Sequence, residues 1–170
     1  MVELREKILE ADAYVIGAPN FYSGLNGVTH SFLERLYQFR HQTGDALWGK
    51  LAVAVGVGGG DGQPPADEIA KFMLYSFIET IDKVSAQGAA GCFTCGNGET
   101  CQVGVPVMMF GPEVKITEDM IPNVRRQPEA MTAAETAGKE LARRLTSGHD
   151  RVEVTGRMQQ IMMAKYKESS

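Results

Sequence analysis

The stretch Leu51–Pro65, "LAVAVGVGGGDGQPP", decides the fold, because an apolar run passes there directly into glycines and prolines. The run Leu51–Val57 has the length and composition of a β-strand that is buried on both faces. The eleven residues Val55–Pro65 contain five glycines and two prolines. Glycine loses more conformational freedom on folding than any other residue, so this composition indicates that something approaches the backbone closely at the end of the strand.

Helical and strand patterns alternate along the chain on both sides of this stretch. This alternation, with continuous apolar strands, predicts an α/β fold with an open parallel sheet and helices on both faces. Residues 1–146 form one predicted domain, and residues 147–170 a helical tail, because Ser147 and Gly148 break the preceding helix. The predicted elements are the helices Val2–Ala11, Val28–Phe39, Pro65–Thr80 and Glu129–Thr146, and the strands Ala13–Gly17, Leu51–Val57 and Val84–Ala90.

Composition and charge exclude several classes of function. The 170 residues are 44% hydrophobic and 22% charged, as in a globular domain with an ordinary core, and carry a net charge of −4. This charge argues against nucleic acid or an anionic membrane as a partner. No apolar run is long enough to span a bilayer. An odd, tightly clustered set of three cysteines indicates a reducing cytoplasm rather than a disulfide framework.

Two loops are the candidate binding site. Ala18–Gly27 and Gly58–Pro65 both follow strands, and ligands of open parallel sheets bind at the carboxyl ends of the strands. Small residues there allow a flat ligand to lie against the backbone. The second loop is neither a Walker A motif nor a Rossmann fingerprint, since no Gly-Lys-Ser/Thr follows it and Pro64 and Pro65 occupy the helix start. The alternative is a pair of flexible turns.

Two stretches carry a family resemblance. "ILEADAYVIGAPNFYSGLNGVTHSFLERL" (8–36) resembles the middle of flavodoxin-like NAD(P)H-dependent FMN reductases, a group that includes the WrbA-type quinone reductases and the iron-sulfur flavoproteins. It has the family's helix, short strand, Gly-(Ser/Thr/Ala)-Pro loop, aromatic residue and helix ending in Phe-Leu-Asp/Glu-Arg. "GKLAVAVGVGGGDGQPPADEI" (49–69) resembles the next strand and glycine-rich loop. The resemblance covers about 4–90.

The resemblance implies FMN as cofactor and NAD(P)H as co-substrate, with electrons passed on to a quinone, flavin or protein acceptor. The cofactor performs this chemistry, so no catalytic acid or base is implied. The isoalloxazine and ribityl region would lie against Ala18, Pro19, Asn20, Phe21 and Tyr22. The other side of the ring system would be covered by Gly58, Gly59, Gly60, Asp61 and Gly62. Pro64 and Pro65 depart from the family's usual Gln-Glu.

The N-terminal part of the chain departs further from the family pattern. The family begins with a strand, a phosphate-binding loop, a helix and a second strand. This chain opens on the helix before the third strand. The strand Ala13–Gly17 should therefore have an open hydrogen-bonding edge. The chain is part of a longer protein, or a second chain supplies the N-terminal half, or the first helix and the tail cover the edge. We expect a homo-oligomer that acts on a small-molecule substrate or a redox protein.

The stretch "GCFTCGNGETCQVG" (91–104) places Cys92, Cys95 and Cys101 on a glycine-rich loop. Three thiolates suit an Fe–S cluster or zinc with a fourth ligand from elsewhere. Cys92 and Cys95 alternatively form a dithiol, or the loop is a turn with free thiols. Two further function classes stay open, the first because of the cysteines and the second because the family's phosphate-binding loop has no counterpart here. One is an Fe–S or dithiol electron-transfer subunit, and the other is a cofactor-free assembly subunit with the same fold.

Overall fold

The computed structural model describes residues 2–42 and 44–168, and in these residues a single four-stranded sheet has the strand order β2-β1-β3-β4. Strands β1, β3 and β4 are parallel, and β2 pairs antiparallel with the end of β1. The α/β class and the open parallel sheet predicted from the sequence are confirmed. The strands are β1 (Ala13–Phe21), β2 (Gly24–Leu25), β3 (Leu51–Gly58) and β4 (Glu79–Gln87). The helices are α1 (Val2–Glu10), α2 (Gly27–Arg35), α3 (Gln38–Gln42), α4 (Gln63–Tyr75), α5 (Val105–Phe110), α6 (Pro128–Thr146) and α7 (Arg151–Glu168).

Strand β3 is covered on both faces, as its apolar sequence predicts. Its residues Ala52 and Ala54 belong to the core cluster that contains Ile69 of α4, and all three side chains are inaccessible to solvent. On the opposite face, Val53 packs against Ala137 of α6. Complete burial of a side chain the size of Ile69 stabilises the fold by about 1.5–3 kcal/mol. Strand β3 is therefore held by apolar packing on both of its faces.

A buried lysine joins α1 to the sheet. Lys50 is 1% exposed, and its ammonium group donates hydrogen bonds to the carbonyl oxygens of Ile8 (3.1 Å), Leu9 (2.6 Å) and Ala11. These carbonyls lie at the end of α1, where no helical N–H remains to satisfy them. Burial lowers the pKa of Lys50, and the positive charge of Arg151 adds to this effect. The lysine therefore caps α1 one residue before β3 begins.

We expect Lys50→Met to lower the free energy of unfolding by about 2–4 kcal/mol, because three carbonyl groups in a partly buried position lose a charged donor. Urea denaturation measures the loss. Lys71→Met is the matched control, since Lys71 is exposed on α4 and should change stability by less than about 0.5 kcal/mol. Equal effects of the two substitutions would contradict the capping role of Lys50.

Helix α4 ends earlier than the sequence pattern predicts. The N–H of Ile78 donates to the carbonyl of Met73 at 2.9 Å, and the N–H of Phe77 donates to that of Leu74 at 3.0 Å. These two bonds form a Schellman cap, which normally has glycine at the position of Phe77. Phe77 adopts a φ of 51° there and is 4% exposed, with its ring packed edge-on against Trp48. The prediction of a helix to Thr80 is wrong because ring packing outweighs the backbone preference.

Other predicted boundaries shift for local reasons. The single helix predicted over Val28–Phe39 is two helices, because the N–H groups of Leu36 and Tyr37 bond three residues back and tighten the chain. Strand β4 runs over Glu79–Gln87 instead of Val84–Ala90. Its first half, "ETID", is polar and gives no strand signal. The helix predicted over Glu129–Thr146 is confirmed as α6.

Helix α7, in the predicted tail, packs on the domain through an ion-pair cluster. The carboxylate of Glu79 accepts hydrogen bonds of 2.6 Å from both Arg144 and Arg157, and its side chain is 16% exposed. Burial alone would raise the pKa of Glu79, but the bonds from Arg144 and Arg157 outweigh it and hold the pKa below its ordinary value. Val154 of α7 adds an apolar contact to Phe77. Glu79 therefore links β4, α6 and α7.

We expect Glu79→Gln to lower the unfolding free energy at pH 7 by about 1–3 kcal/mol, since two arginines lose their shared anion. The pKa of Glu79 is lower in the folded than in the unfolded protein. Its contribution is therefore complete above about pH 5 and disappears as the pH falls through the folded-state pKa. Urea denaturation of both proteins between pH 3 and 7 should show their difference shrinking at the acid end. A difference independent of pH would contradict this linkage.

Strand β1 has one covered and one exposed face. Tyr14 and Ile16 pack against the core beneath α4, whereas Val15 on the other face is 67% exposed. Among the described residues, β1 pairs with β3 on one edge. On its other edge it pairs only with β2, at Asn20 and Phe21. The open edge that the sequence predicts is therefore present along most of β1, and the homo-oligomer stays a prediction.

No helix within residues 2–42 and 44–168 combines the length and the apolar character needed to cross a lipid bilayer.

Candidate functional site

The two predicted loops meet at the carboxyl end of the sheet. The parallel register pairs Ala18 with Gly56 and Pro19 with Val57, so both strands end at the same rim. Beyond the ladder, the side-chain N–H of Asn20 donates to the carbonyl of Asp61 at 2.7 Å. The structure thus brings together residues 18–27 and the loop after β3, as the sequence predicts, although the prediction of a strand end at Gly17 is wrong because β1 continues to Phe21.

Three glycines are required by packing within the loop itself. A Cβ atom on Gly56 would lie 1.7 Å from the carbonyl oxygen of Gly62, and one on Gly62 would lie 2.1 Å from that of Gly56. A Cβ atom on Gly58 would lie 1.9 Å from the carbonyl oxygen of Asp61. These distances are far below van der Waals contact. The chain doubles back on the end of β3, and only glycine permits this close approach.

Gly59 and Gly60 are different, because no packing of this kind requires them. A Cβ atom on Gly60 would have no atom within 4 Å, and one on Gly59 would lie in ordinary contact, 3.4 Å from the Cβ atom of Ala90. Both residues are exposed, and neither has a positive φ. They present bare backbone to solvent at the rim of the sheet.

Hydrogen bonds from outside the loop hold this backbone in place. The side-chain amide of Gln87 donates to the carbonyl of Gly59 at 3.0 Å, and the N–H of Gly88 donates to that of Gly58 at 2.8 Å. Gln127 in turn accepts from the N–H of Gln87 and donates to its carbonyl. The roles of Gln87 and Gln127 are not predictable from the sequence, because their long polar side chains belong to no motif.

Asp61 lies in the glycine loop two residues before the start of α4. Its carboxylate accepts from the N–H of Gln63 at 2.7 Å, at the start of α4. An acidic group at a helix N-terminus satisfies free N–H groups and interacts favourably with the helix dipole. The hydroxyl of Ser85 accepts from the N–H of Gly62 at 3.1 Å and supports the same turn. Asp61 therefore acts on the shape of the loop through both its backbone and its side chain.

The first loop is a tight hairpin that presents aromatic rings. Strands β1 and β2 are joined by Tyr22 and Ser23, whose φ values are 51° and 62°. The side chain of Tyr22 is fully exposed and that of Phe21 is 58% exposed. Pro19 is also exposed, while Ala18 is 4% exposed and contributes to the core. The predicted site residues thus divide into an exposed set and a buried supporting set of Ala18, Gly58 and Gly62.

This arrangement fits the ring system of FMN. The bare backbone of Gly59 and Gly60 leaves room for a flat ligand, and the exposed rings of Phe21 and Tyr22 provide apolar surface on the neighbouring loop. The side-chain oxygen of Asn20 is buried and has no hydrogen-bond donor in the described structure. Ala18–Tyr22 and Gly58–Gly62 contain no lysine or arginine. These loops therefore suit the ring and supply no cationic side chain to the phosphate.

The cysteine loop gives no support to a metal centre. Cys95 is exposed, and its sulfur accepts from the N–H of Asn97 at 3.4 Å, while Cys92 and Cys101 are half-buried free thiols. In the part of the chain that the structure describes, no three histidine, cysteine or acidic side chains are grouped to hold a metal ion. The Fe–S cluster is thus unsupported, and the dithiol stays a prediction.

A separate apolar cavity of about 440 Å³ lies towards the other end of α4. Its lining includes Leu36, Trp48, Phe72 and Tyr75. Tyr75 is the last residue of α4, whereas the glycine loop precedes the first, a separation of roughly 18 Å along the helix axis. The cavity is therefore not part of the rim that carries the two loops.

Comparison with known proteins gives a family for this chain. The family model described as NADPH-dependent FMN reductase matches residues 1–91. The chain belongs to this family. A solved structure of a flavodoxin from the domain Archaea is 22% identical, with a TM-score of 0.32, and the match covers 46% of this chain. The chain spans about half of that flavodoxin, 52% of its length. No curated protein matches the chain.

The glycines around the loop after β3 are of two kinds, those that packing requires and those that are open to solvent. Substitutions should affect the two kinds differently. Gly60→Val should leave the thermal midpoint unchanged, because the space around its Cβ position is open, yet should abolish retention of FMN by crowding the ring. The double substitution of Gly59 and Gly60 by valine should also abolish retention of FMN. Gly58→Val should instead destabilise the protein by about 1–3 kcal/mol through overlap with the Asp61 carbonyl. Unchanged FMN affinity in a folded Gly60→Val protein would contradict the site.

Proposed function

We propose that this protein is an FMN-dependent oxidoreductase that oxidises NAD(P)H and delivers the electrons to a quinone, a free flavin or a redox protein. The proposal is supported most directly by the exposed backbone of Gly59 and Gly60, which lies at the rim where the flavin would bind if the family resemblance extends to the site. Membership of the NADPH-dependent FMN reductase family supports the same assignment. Bound FMN would supply hydride acceptance from the nicotinamide and onward electron transfer.

The chain's own residues bind and orient the ligand in this proposal. Gly59 and Gly60 offer backbone that a planar ring can approach closely. Phe21 and Tyr22 cover apolar surface of the ligand and displace water from it. The bond from Asn20 to the Asp61 carbonyl holds the two loops at a constant separation. A preformed site of this kind reduces the conformational entropy lost when the ligand binds.

The absence of lysine and arginine from the two loops has a consequence for ligand choice. A phosphate group gains most from charged donors or from backbone N–H groups at a helix N-terminus. The two loops contact the ring in this proposal, so the phosphate adds little binding energy through them. Riboflavin, which lacks the phosphate, should bind to these loops nearly as well as FMN.

We expect the purified protein to retain FMN after gel filtration, with the two visible absorption bands of an oxidised flavin. NADPH oxidation with a benzoquinone acceptor should then exceed the rate of free FMN at the same concentration. Riboflavin should bind within about tenfold of FMN. The folded Gly60→Val variant is the control and should show only the rate of free flavin. A colourless wild-type protein with no rate above this control would contradict the proposed activity and favour the cofactor-free assembly subunit.

A further inference from the structure

The hairpin that carries Tyr22 is strained. A two-residue connection with positive φ at both positions is a type I′ turn, which strongly favours asparagine and glycine. This chain has Tyr22 and Ser23 there, with φ values of 51° and 62°. A strained turn persists only where surrounding contacts determine its conformation. The two residue pairs between β1 and β2, Asn20–Leu25 and Phe21–Gly24, are few for this purpose.

Glu68 provides the additional contact. Its carboxylate oxygen Oε2 accepts a hydrogen bond from the backbone N–H of Leu25 at 2.9 Å. The other carboxylate oxygen, Oε1, lies 3.0 Å from the position that a Cβ atom on Gly24 would occupy. The carboxylate therefore lies directly against β2, the returning strand of the hairpin. Hydrogen bonds to ionised acceptors are stronger than bonds between neutral groups.

Glu68 also connects this hairpin to the second loop. It lies on α4, and the N-terminus of α4 is held by Asp61 of the glycine loop. A displacement of the hairpin from α4 would therefore move the hairpin relative to the glycine loop. The bond from Asn20 to Asp61 is a second connection, but it lies on β1 and does not hold the returning strand.

We propose that Glu68 is a positioning residue that keeps the strained Tyr22–Ser23 turn closed and so keeps Tyr22 at the rim of the flavin site. This inference rests on the proposed function for its consequence in binding. The effect of Glu68 on the hairpin itself is independent of any ligand. Glu68 acts through the backbone of Leu25 and is not assigned a contact with FMN.

Amide hydrogen exchange of the protein without FMN tests whether Glu68 keeps the turn closed. Glu68→Ala should increase the exchange rate in the 21–26 segment roughly tenfold, because the Leu25 N–H loses its acceptor. Glu68→Gln keeps an acceptor oxygen and should restore most of the protection. Lys71→Ala, an exposed change on the same helix, is the control and should leave the segment unchanged. Exchange in Glu68→Ala equal to that of the wild type would overturn the proposal, whether or not the protein binds flavin.

Rescue of FMN binding tests the second part of the proposal, that the closed turn keeps Tyr22 at the rim of the flavin site. Glu68→Ala should weaken FMN binding about tenfold, and Ser23→Gly in the same protein should recover most of the loss, since glycine adopts positive φ without strain. Tyr22→Ala should weaken binding to a similar extent, and adding Glu68→Ala to it should weaken binding little further. Failure of Ser23→Gly to rescue, or additive effects of the Tyr22 and Glu68 substitutions, would overturn the positioning role. A wild-type protein that binds no flavin would overturn this second part together with the proposed function, while the exchange result stands alone.

Discussion

The close approach of the loop after β3 to the strand it follows is the constraint on which the rest of the site depends. Gly56 and Gly62 lie so near each other that a Cβ atom on either would fall about 2 Å from the other's carbonyl oxygen. This contact reverses the chain within a few residues and places the start of α4 beside the end of β3. Because α4 then covers both β1 and β3, the same contact sets the position of the core and of the rim.

The unusual glycine content of Val55–Pro65 thus has two physical causes. Gly56, Gly58 and Gly62 allow the protein to pack against itself, whereas Gly59 and Gly60 leave backbone open to solvent, where the flavin would lie in the proposed function. Side chains from distant parts of the sequence then fix this backbone, with Asn20 and Gln87 each bonding to one of its carbonyl groups. The internal glycines shape the loop, and the open glycines form the surface on which the proposed function depends.

The sequence predicted the features that arise from local pattern. The apolar run Leu51–Val57 and the amphipathic helix Glu129–Thr146 appear at nearly the predicted positions, since burial on both faces and helical periodicity are visible in the residues themselves. The placement of the two loops at one rim followed from the parallel order of the strands. Within these loops, the sequence could not distinguish the buried Gly58 from the open Gly60, because that difference depends on the return path of the chain.

Tertiary contacts determined what the sequence could not show. Phe77 ends α4 in a conformation typical of glycine because its ring packs against Trp48, a residue far away in the chain. Lys50 is buried although lysine is rarely found inside proteins, because the end of α1 supplies three acceptors. Glu68 and Gln127 carry no motif, and their roles follow only from the backbone groups that they contact.

The proposed function requires that a flavin ring bind between the hairpin formed by β1 and β2 and the open glycines after β3. Titration of the ¹⁵N-labelled protein with FMN, followed through backbone amide chemical shifts, measures this directly. We expect the largest shifts on Asn20–Ser23 and on Gly59–Asp61, with small changes around Trp48 and Tyr75 at the distant cavity. Large shifts confined to that cavity, or no shifts at saturating FMN, would contradict it.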